Sequence, residues 1–298
     1  MPSRAGNRTP SPGFVLALAV LAISWGSILV RLCGAAPLPI AFYRMAIAAA
    51  VLAPFASRQV LSTPIPGRVF VRIALAGALL ALHFGAWIWS LNLTSVGSSV
   101  VLVSTQPIFA ALISGLALGE PAPARVYGGM AICVAGTLLI SGADWGISGH
   151  RLLGDALAVL AAAAAAACFV VGRSVRSQVP FLAYFFLLCA SAAAFLALAA
   201  RAAGQSLSGF PARDYLYLAA LALLPTLIGH GCLNLAVRHL RVYVVNLAAF
   251  GEPILATLYA WILFGEPITA SLLAGGSMIG CGVFLSIEPA KTAPEGSH

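Results

Sequence analysis

The sequence predicts an all-α integral membrane protein with ten transmembrane helices in two inverted five-helix repeats. Three observations support this fold class. Hydrophobic residues make up 61% of the 298 residues and charged residues only 8%, whereas soluble domains carry about 25% charged residues. Apolar runs of membrane-spanning length recur along the chain with short connections between them. Motifs of the first half also return 146 positions later in the second half.

The first half contains five predicted helices. The first covers residues 14–32 and is longer than the apolar core of a signal peptide, which has about 7–15 residues. The next four cover 39–55, 69–91, 95–118 and 125–141. Each is close to the roughly 20 residues that cross the hydrocarbon core. Helices are expected because lipid offers no partner to an unpaired backbone group.

The second half repeats this series, with predicted helices at 152–172, 180–200, 215–237, 243–264 and 269–287. We therefore predict a first repeat at 1–142, a second repeat at 151–287 and a disordered tail at 288–298. Because each repeat has an odd number of helices, the two repeats cross the membrane in opposite senses. With both termini in the cytoplasm, most arginines lie at cytoplasmic helix ends, as the positive-inside rule requires.

Each repeat has a proline-interrupted apolar helix at the corresponding place. Gln106-Pro107 in the first half matches Glu252-Pro253 in the second. Paired broken helices of this kind mark the substrate site in transporters built from repeats. The two prolines are predicted to kink their helices and to free one backbone carbonyl each. These carbonyls would bind substrate or permit hinge motion, and a kink without a functional role is an equal alternative.

Composition and motifs exclude several classes of function. The net charge of +8 comes from arginines placed singly at helix ends, which indicates topology and lipid contacts and no nucleic-acid partner. The six cysteines form no CxxC pair, so we predict neither a metal site nor a disulfide framework. No phosphate-binding loop, GxSxG or HExxH motif occurs. We predict no enzyme and no cofactor; the expected partners are lipid and a small-molecule substrate.

Glu252 is the sharpest candidate for a functional residue. It is the carboxylate that lies well inside a predicted span, where an ionised acid costs about 2.5–3.5 kcal/mol on insertion scales. It must therefore be protonated, paired or in contact with water. The functional interpretation is a proton-coupling group or a contact to a substrate amino group. The alternative is a neutral carboxyl that bonds the backbone freed by Pro253.

Two polar faces on corresponding helices are predicted to line a central cavity. His83 and Trp87 are four residues apart on the third helix, so they share a face. His230 and Asn234 have the same spacing on the eighth helix, with Thr226 one turn earlier. Aromatic and amide groups in this arrangement suit a zwitterion with a ring. The alternative is hydrogen bonding between helices, which is common for His and Asn in membrane bundles.

Further polar and aromatic residues on the first, fourth and ninth helices complete the predicted substrate site. They are Ser24, Trp25, Ser98, Thr105, Gln106, Asn246 and Phe250. Arg44 is expected to extend to the outer interface, with a contact to a substrate carboxylate as the less favoured alternative. Glu120 and Glu266 lie in Gly-Glu-Pro turns and are expected to close helix ends.

Several motifs, taken in order, resemble the EamA-type proteins of the drug/metabolite transporter superfamily. The matching motifs are Trp25-Gly26-Ser27, Pro39 with Arg44, Pro107, and Glu252-Pro253. The resemblance covers nearly the whole chain. One position departs from symmetry between the halves, because Gln106 stands where the second half has Glu252.

The resemblance implies a multi-pass carrier of the bacterial inner membrane that exports small metabolites by alternating access. Amino acids, and aromatic amino acids first among them, are the expected substrates. A broad drug or hydrophobic-metabolite exporter of the same fold is the main alternative. A non-transporting membrane sensor or assembly partner is a further alternative. The glycines of the fifth and tenth helices suit close helix packing, and a homodimer contact there is a second interpretation.

Overall fold

The computed structural model describes residues 12–62, 64–118, 124–142, 149–175, 178–236 and 251–286. Regular structure in these ranges is entirely helical. The helices are α1 Pro12–Leu32, α2 Pro37–Ser62, α3 Gly67–Leu93, α4 Val96–Val103, α5 Gln106–Leu118, α6 Ala124–Gly142, α7 Gly149–Arg173, α8 Phe181–Ala202, α9 Ala212–Leu221, a π-helical segment Ala222–His230, α10 Gly231–Ala236, α11 Gly251–Phe264 and α12 Ala270–Ser286.

The helices have the length and composition of a membrane protein. Among the described residues, 6 helices are long and apolar enough to cross a bilayer. Shorter apolar helices lie at Val96–Ala110, Ala124–Ile140, Gly251–Phe264 and Ala270–Leu285. Large apolar side chains such as Phe14, Leu116 and Phe284 are exposed on the outside of the bundle, which suits contact with lipid. The all-helical membrane fold is confirmed, and the count of ten spans stays a prediction.

The predicted span 95–118 is divided into α4 and α5 by a turn at Ser104 and Thr105. Pro107 lies in the first turn of α5 and has no N–H to donate back across the turn, so the hydrogen-bond ladder of α4 does not continue into α5. The two hydroxyls satisfy carbonyls near the break: Ser104 Oγ donates to Val100 O at 2.7 Å and Thr105 Oγ1 donates to Leu102 O at 2.7 Å. The break thus lies just before Pro107.

Its counterpart Pro253 lies in the first turn of α11, where a helix tolerates proline. Residues 237–250 are outside the described part of the chain. The kink predicted at Pro253 therefore stays a prediction.

Helices from the two halves pack against each other throughout the bundle. α2 lies along α8, and α6 lies along α12; in each pair the two helices occupy corresponding places in their halves. α3 lies along α7, while α1 lies along α9, the π-helical segment and α10. α3 corresponds to the stretch from α9 to α10, and α1 corresponds to α7, so these last two pairings are counterparts of each other. The buried core is therefore formed between the halves, and no separate core exists for either half among the described residues.

The α6–α12 contact depends on glycines at four symmetric positions. A Cβ atom built on Gly136 would lie 2.7 Å from the carbonyl oxygen of Gly275, and one built on Gly282 would overlap the carbonyl oxygen of Gly129. Since the early part of α6 meets the late part of α12, the two helices are antiparallel. Their backbones touch because these positions have no side chain, as small residues permit in membrane bundles.

Candidate functional site

The centre of the bundle is organised around Arg44 of α2. This side chain is only 2% exposed, and a buried guanidinium needs partners. Its Nε donates to Thr226 Oγ1 at 2.7 Å, and its Nη2 lies 3.4 Å from His230 Nε2. His230 can accept this bond through Nε2 only when its ring proton is on Nδ1. Arg44 therefore connects the first half of the chain with the π-helical segment of the second half.

The π-helical segment places Thr226 for this role. Pro225 interrupts the normal hydrogen-bond ladder because it has no N–H, and the helix widens into π geometry around it. The hydroxyl of Thr226 donates to Leu221 O at 2.9 Å, one residue further along than an α-helical bond would reach. With its proton used in this way, Thr226 Oγ1 presents its lone pairs to Arg44.

Aromatic rings of α3 cover the guanidinium of Arg44. The Cζ atom of Arg44 lies 4.2 Å from the ring centroid of Phe84 and 5.7 Å from that of Trp87. Both distances are within the range of cation–π attraction. The two rings meet edge to face, with centroids 6.3 Å apart. Phe84 was not singled out by the sequence, since a phenylalanine in an apolar helix carries no distinguishing signal.

His83 is near the same cluster but has a different partner. Its Nδ1 lies 2.9 Å from the carbonyl oxygen of Ala161 on α7. A carbonyl only accepts, so His83 donates from Nδ1 in this contact. The hydrogen bond between helices, which was the alternative for His83, is therefore present. Trp87, on the same face of α3, meets Arg44, so this face contributes to the packing of α7 and to the Arg44 cluster together.

Glu252 approaches the cluster from α11. It lies in the first turn of that helix and interacts electrostatically with Arg44. The two side chains form no direct ion pair in the part of the chain that the structure describes. Arg44 and Glu252 are thus a basic and an acidic side chain that no ion pair joins among the described residues.

Gly26 of α1 closes the cluster on another side. A Cβ atom built on it would lie 3.4 Å from Trp87 Cη2, 3.7 Å from Pro225 Cβ and 4.0 Å from Arg44 Nη1. These are ordinary van der Waals distances, so the backbone of α1 runs directly beside the guanidinium. A methyl group at this position would therefore fit, in contact with Trp87, Pro225 and Arg44.

The remaining predicted residues that the structure describes lie on α1, α4 and α5 or in the turn between α4 and α5. Ser24 and Thr105 are buried, and their hydroxyls bond carbonyls of Val20 and Leu102 nearby in sequence. Ser98 lies in the first turn of α4. Trp25 packs against Tyr259 of α11 in a tilted arrangement, with ring centroids 5.1 Å apart.

Gln106 and Pro107 begin α5 and are partly buried. Asn246, Phe250 and the side chain of Asn234 lie outside the described residues. Among the described residues, no group of His, Cys, Asp or Glu side chains is arranged to hold a metal ion.

The expectation that Arg44 extends to the outer interface is wrong. The side chain turns inward because Thr226, His230 and the α3 rings provide hydrogen bonds and a cation–π surface there. The sequence could not separate the two directions, since a position two turns from a helix end permits both. The useful signal was the polar spacing of Thr226 and His230, which offers acceptors to a buried donor.

A second polar cluster joins the ends of α1, α3, α4 and α11. Arg31 Nη2 lies 3.0 Å from Glu266 Oε1, and the same nitrogen donates to Thr94 O at 2.8 Å. Glu266 Oε2 accepts from the backbone N–H of Val96 at 2.8 Å. Glu266 closes a helix end, as expected, and the end that it closes is the N-terminus of α4, where a negative charge is stabilising. Glu120 lies outside the described residues.

Comparison with known proteins gives a consistent result. The profile of the EamA-like transporter family matches residues 12–142 and, a second time, residues 152–287. No curated protein matches the chain significantly. Among solved structures, one crystal structure of a protein shares 21% sequence identity, covers 92% of this chain and 96% of its own, and superposes with a TM-score of 0.65. At this identity the likeness shows the fold alone.

Proposed function

Because the chain belongs to the EamA-like transporter family, we propose that it is a secondary transporter that exports amino acids or similar small metabolites, with aromatic amino acids as the leading substrates. The observation that carries this proposal is the buried cluster around Arg44. Charged, hydrogen-bonding and aromatic groups from both halves converge there. Buried ionisable groups inside a membrane bundle are expensive and mark substrate pathways.

The proposed architecture has ten transmembrane helices in two inverted repeats, with both termini in the cytoplasm of a bacterium and the helices in its inner membrane. Two observations support it. Corresponding helices α6 and α12 are antiparallel and meet through symmetric glycines. The pairing of α3 with α7 is the counterpart of the pairing of α1 with α9 and α10. Inverted repeats produce this pattern, and they place the substrate site at their interface.

Transport would proceed by rocking of one half against the other around the Arg44 cluster. The break between α4 and α5 and the π-helical segment are the points where the hydrogen-bond ladder is already interrupted, so bending there costs less than in a regular helix. Glu252 is the proposed coupling group, because a carboxyl can carry a proton one way and release it on the other side.

A broad exporter of hydrophobic drugs or metabolites is the second candidate. It is favoured by aromatic surfaces inside the bundle, which include Phe84, Trp87 and the pair of Trp25 and Tyr259. Aromatic surfaces accept many flat apolar molecules. The two candidates differ in whether the polar centre of the cluster is used.

Counterflow in proteoliposomes tests the proposal. Vesicles holding purified protein and unlabelled phenylalanine inside are expected to accumulate labelled phenylalanine from outside, with saturation. The same vesicles with an imposed proton gradient then test coupling. Glu252→Gln should lose gradient dependence, whereas the matched change Glu266→Gln should keep both counterflow and gradient dependence. Counterflow of hydrophobic cations without counterflow of any amino acid would replace the first candidate with the second.

A homodimer contact through α6 and α12 is also proposed. Gly129, Gly136, Gly275 and Gly282 are used inside the chain, but Gly128 and Gly280 meet no atom within 4 Å. These two positions would let a second copy approach closely. Cross-linking in native membranes tests the contact.

A further inference from the structure

We propose that Arg44 and Trp87 form a carboxylate-binding subsite, so that the substrate of this protein carries a carboxylate group. The proposal rests on the proposed function for its role in transport. It goes further by stating which chemical group of the substrate is recognised and by which atoms.

The first observation is that Arg44 has unused donors. Its Nε is bonded to Thr226 and its Nη2 is directed at His230. Its Nη1, which carries two N–H donors, has no acceptor among the described residues. The side chain is only 2% exposed. An unpaired donor on a buried charge is strongly unfavourable, and an acceptor group on a ligand would remove this cost.

The second observation is a neighbouring donor with the same property. The indole Nε1 of Trp87 also has no acceptor among the described residues, and this side chain is 4% exposed. A buried tryptophan normally finds a partner for this N–H. A carboxylate has two oxygens and accepts several hydrogen bonds. It is therefore the kind of group that two unpaired donors in one cluster would share.

The third observation is that the guanidinium is held in place before any ligand arrives. Thr226 and His230 fix one edge of the plane, and the ring of Phe84 lies 4.2 Å from Cζ. Such an arrangement reduces the ordering cost of binding. Gly26 keeps side-chain atoms away from Nη1, since even a Cβ atom there would come to 4.0 Å.

The charges around the cluster favour a zwitterion. Glu252 is the acidic group that interacts with Arg44 electrostatically, and the two are not in direct contact in the described part of the chain. A carboxylate on Arg44 and an ammonium group towards Glu252 would balance both charges. A purely cationic drug would instead face the unpaired guanidinium, which repels it. The subsite thus disfavours a purely cationic substrate.

Ligand-induced thermal stabilisation of the purified protein in detergent tests the subsite without requiring transport. The probes are phenylalanine, 3-phenylpropanoate, phenethylamine and inorganic phosphate, which separate the carboxylate, the amine and a general anion. We expect stabilisation by phenylalanine and 3-phenylpropanoate, and none by phenethylamine or phosphate. Stabilisation by phenethylamine to the same extent, by phosphate alone, or by none of the probes would overturn the proposal.

Variants then assign the effect to the named atoms. Trp87→Phe keeps the ring in place and removes the N–H, so carboxylate affinity should fall about tenfold, as the loss of one hydrogen bond to a charged group predicts. Arg44→Gln should abolish carboxylate stabilisation, and Arg44→Lys should retain part of it. If Trp87→Phe folds and binds 3-phenylpropanoate as tightly as the unchanged protein, the subsite is wrong. Carboxylate binding without counterflow would reject the transport proposal and leave the subsite standing.

Discussion

Cys133 of α6 donates a hydrogen bond from its thiol to the carbonyl oxygen of Ile279 on α12, at 3.4 Å. The two residues are 146 positions apart, which is the offset of the internal repeat, so each is the counterpart of the other. A residue that touches its own counterpart lies at the axis that relates the two halves. The contact of Gly136 with Gly275 and the contact of Gly282 with Gly129 are counterparts of each other, as such an axis requires. Because α6 and α12 are antiparallel, the axis runs across them.

The glycine contact beside this axis predicts a large difference between neighbouring positions of α12. In Gly282→Ala the new methyl group would overlap the carbonyl oxygen of Gly129 and lie 3.1 Å from the backbone nitrogen of Cys133. Backbone atoms cannot move aside cheaply, so overpacking should destabilise the protein by about 1–3 kcal/mol. Thermal denaturation of the purified protein measures the effect.

Gly280→Ala, measured on the monomeric protein, is the matched control on the same helix. A Cβ atom at Gly280 meets nothing within 4 Å, and alanine is the better helix former by about 0.8–1.0 kcal/mol. The control should therefore be neutral or stabilising. Equal midpoints for the two variants would show that α6 and α12 do not make this close contact.

Thr226 predicts a different kind of loss. Thr226→Val keeps the shape of the side chain and removes both the acceptor for Arg44 Nε and the donor to Leu221 O. The buried Nε of Arg44 is then left without its acceptor, at about 1–3 kcal/mol. We expect a lower denaturation midpoint and weaker carboxylate binding. Thr226→Ser retains the hydroxyl and should preserve binding; similar behaviour of the two variants would contradict the assigned role of Thr226.

Much of the fold could be predicted from the sequence because lipid restricts the choices. A chain this apolar must be helical in a membrane, and prolines and polar connections mark where helices stop. The proline at 107 correctly indicated an interrupted helix. The π geometry at Pro225 was not predicted, since single residues do not state whether a proline kinks a helix or widens it.

The candidate site was less accessible to sequence analysis. Spacing along one helix is fixed by its periodicity, and the structure brings Trp87, Thr226 and His230 together at Arg44. The direction of Arg44 depends on contacts between α2, α3 and the π-helical segment. Such contacts are set by tertiary packing, so sequence patterns within α2 carried no information about them.

The contact between Arg31 and Glu266 should contribute modestly to stability. The two side chains are 29% and 18% exposed, so solvent screens their attraction, and a coupling of about 0.2–1 kcal/mol is expected. A double-mutant cycle with Arg31→Gln and Glu266→Gln measures it by thermal denaturation. The coupling should shrink as salt is raised. Glu266→Ala should cost more than Glu266→Gln, because only the amide keeps an acceptor for Val96 N–H.

Gly26 predicts a separation between stability and ligand binding. In Gly26→Ala the added methyl group makes only ordinary contacts, 3.4 Å from Trp87 Cη2 and 4.0 Å from Arg44 Nη1. The helix should form at least as well as before, since alanine is the better helix former. The methyl group nevertheless occupies the space beside the unpaired guanidinium nitrogen. We therefore expect an unchanged or higher denaturation midpoint together with weaker stabilisation by 3-phenylpropanoate.

Gly276→Ala controls for a general effect of adding a methyl group to a membrane helix. Its Cβ atom would lie 3.7 Å from Val101 on α4, another ordinary contact outside the Arg44 cluster. This variant should bind 3-phenylpropanoate as the unchanged protein does. A larger side chain, in Gly26→Leu, should abolish binding if the protein still folds. If Gly26→Ala binds the carboxylate normally, the ligand does not approach Arg44 from the side of α1, and Nη1 must be reached from the side of α11 instead.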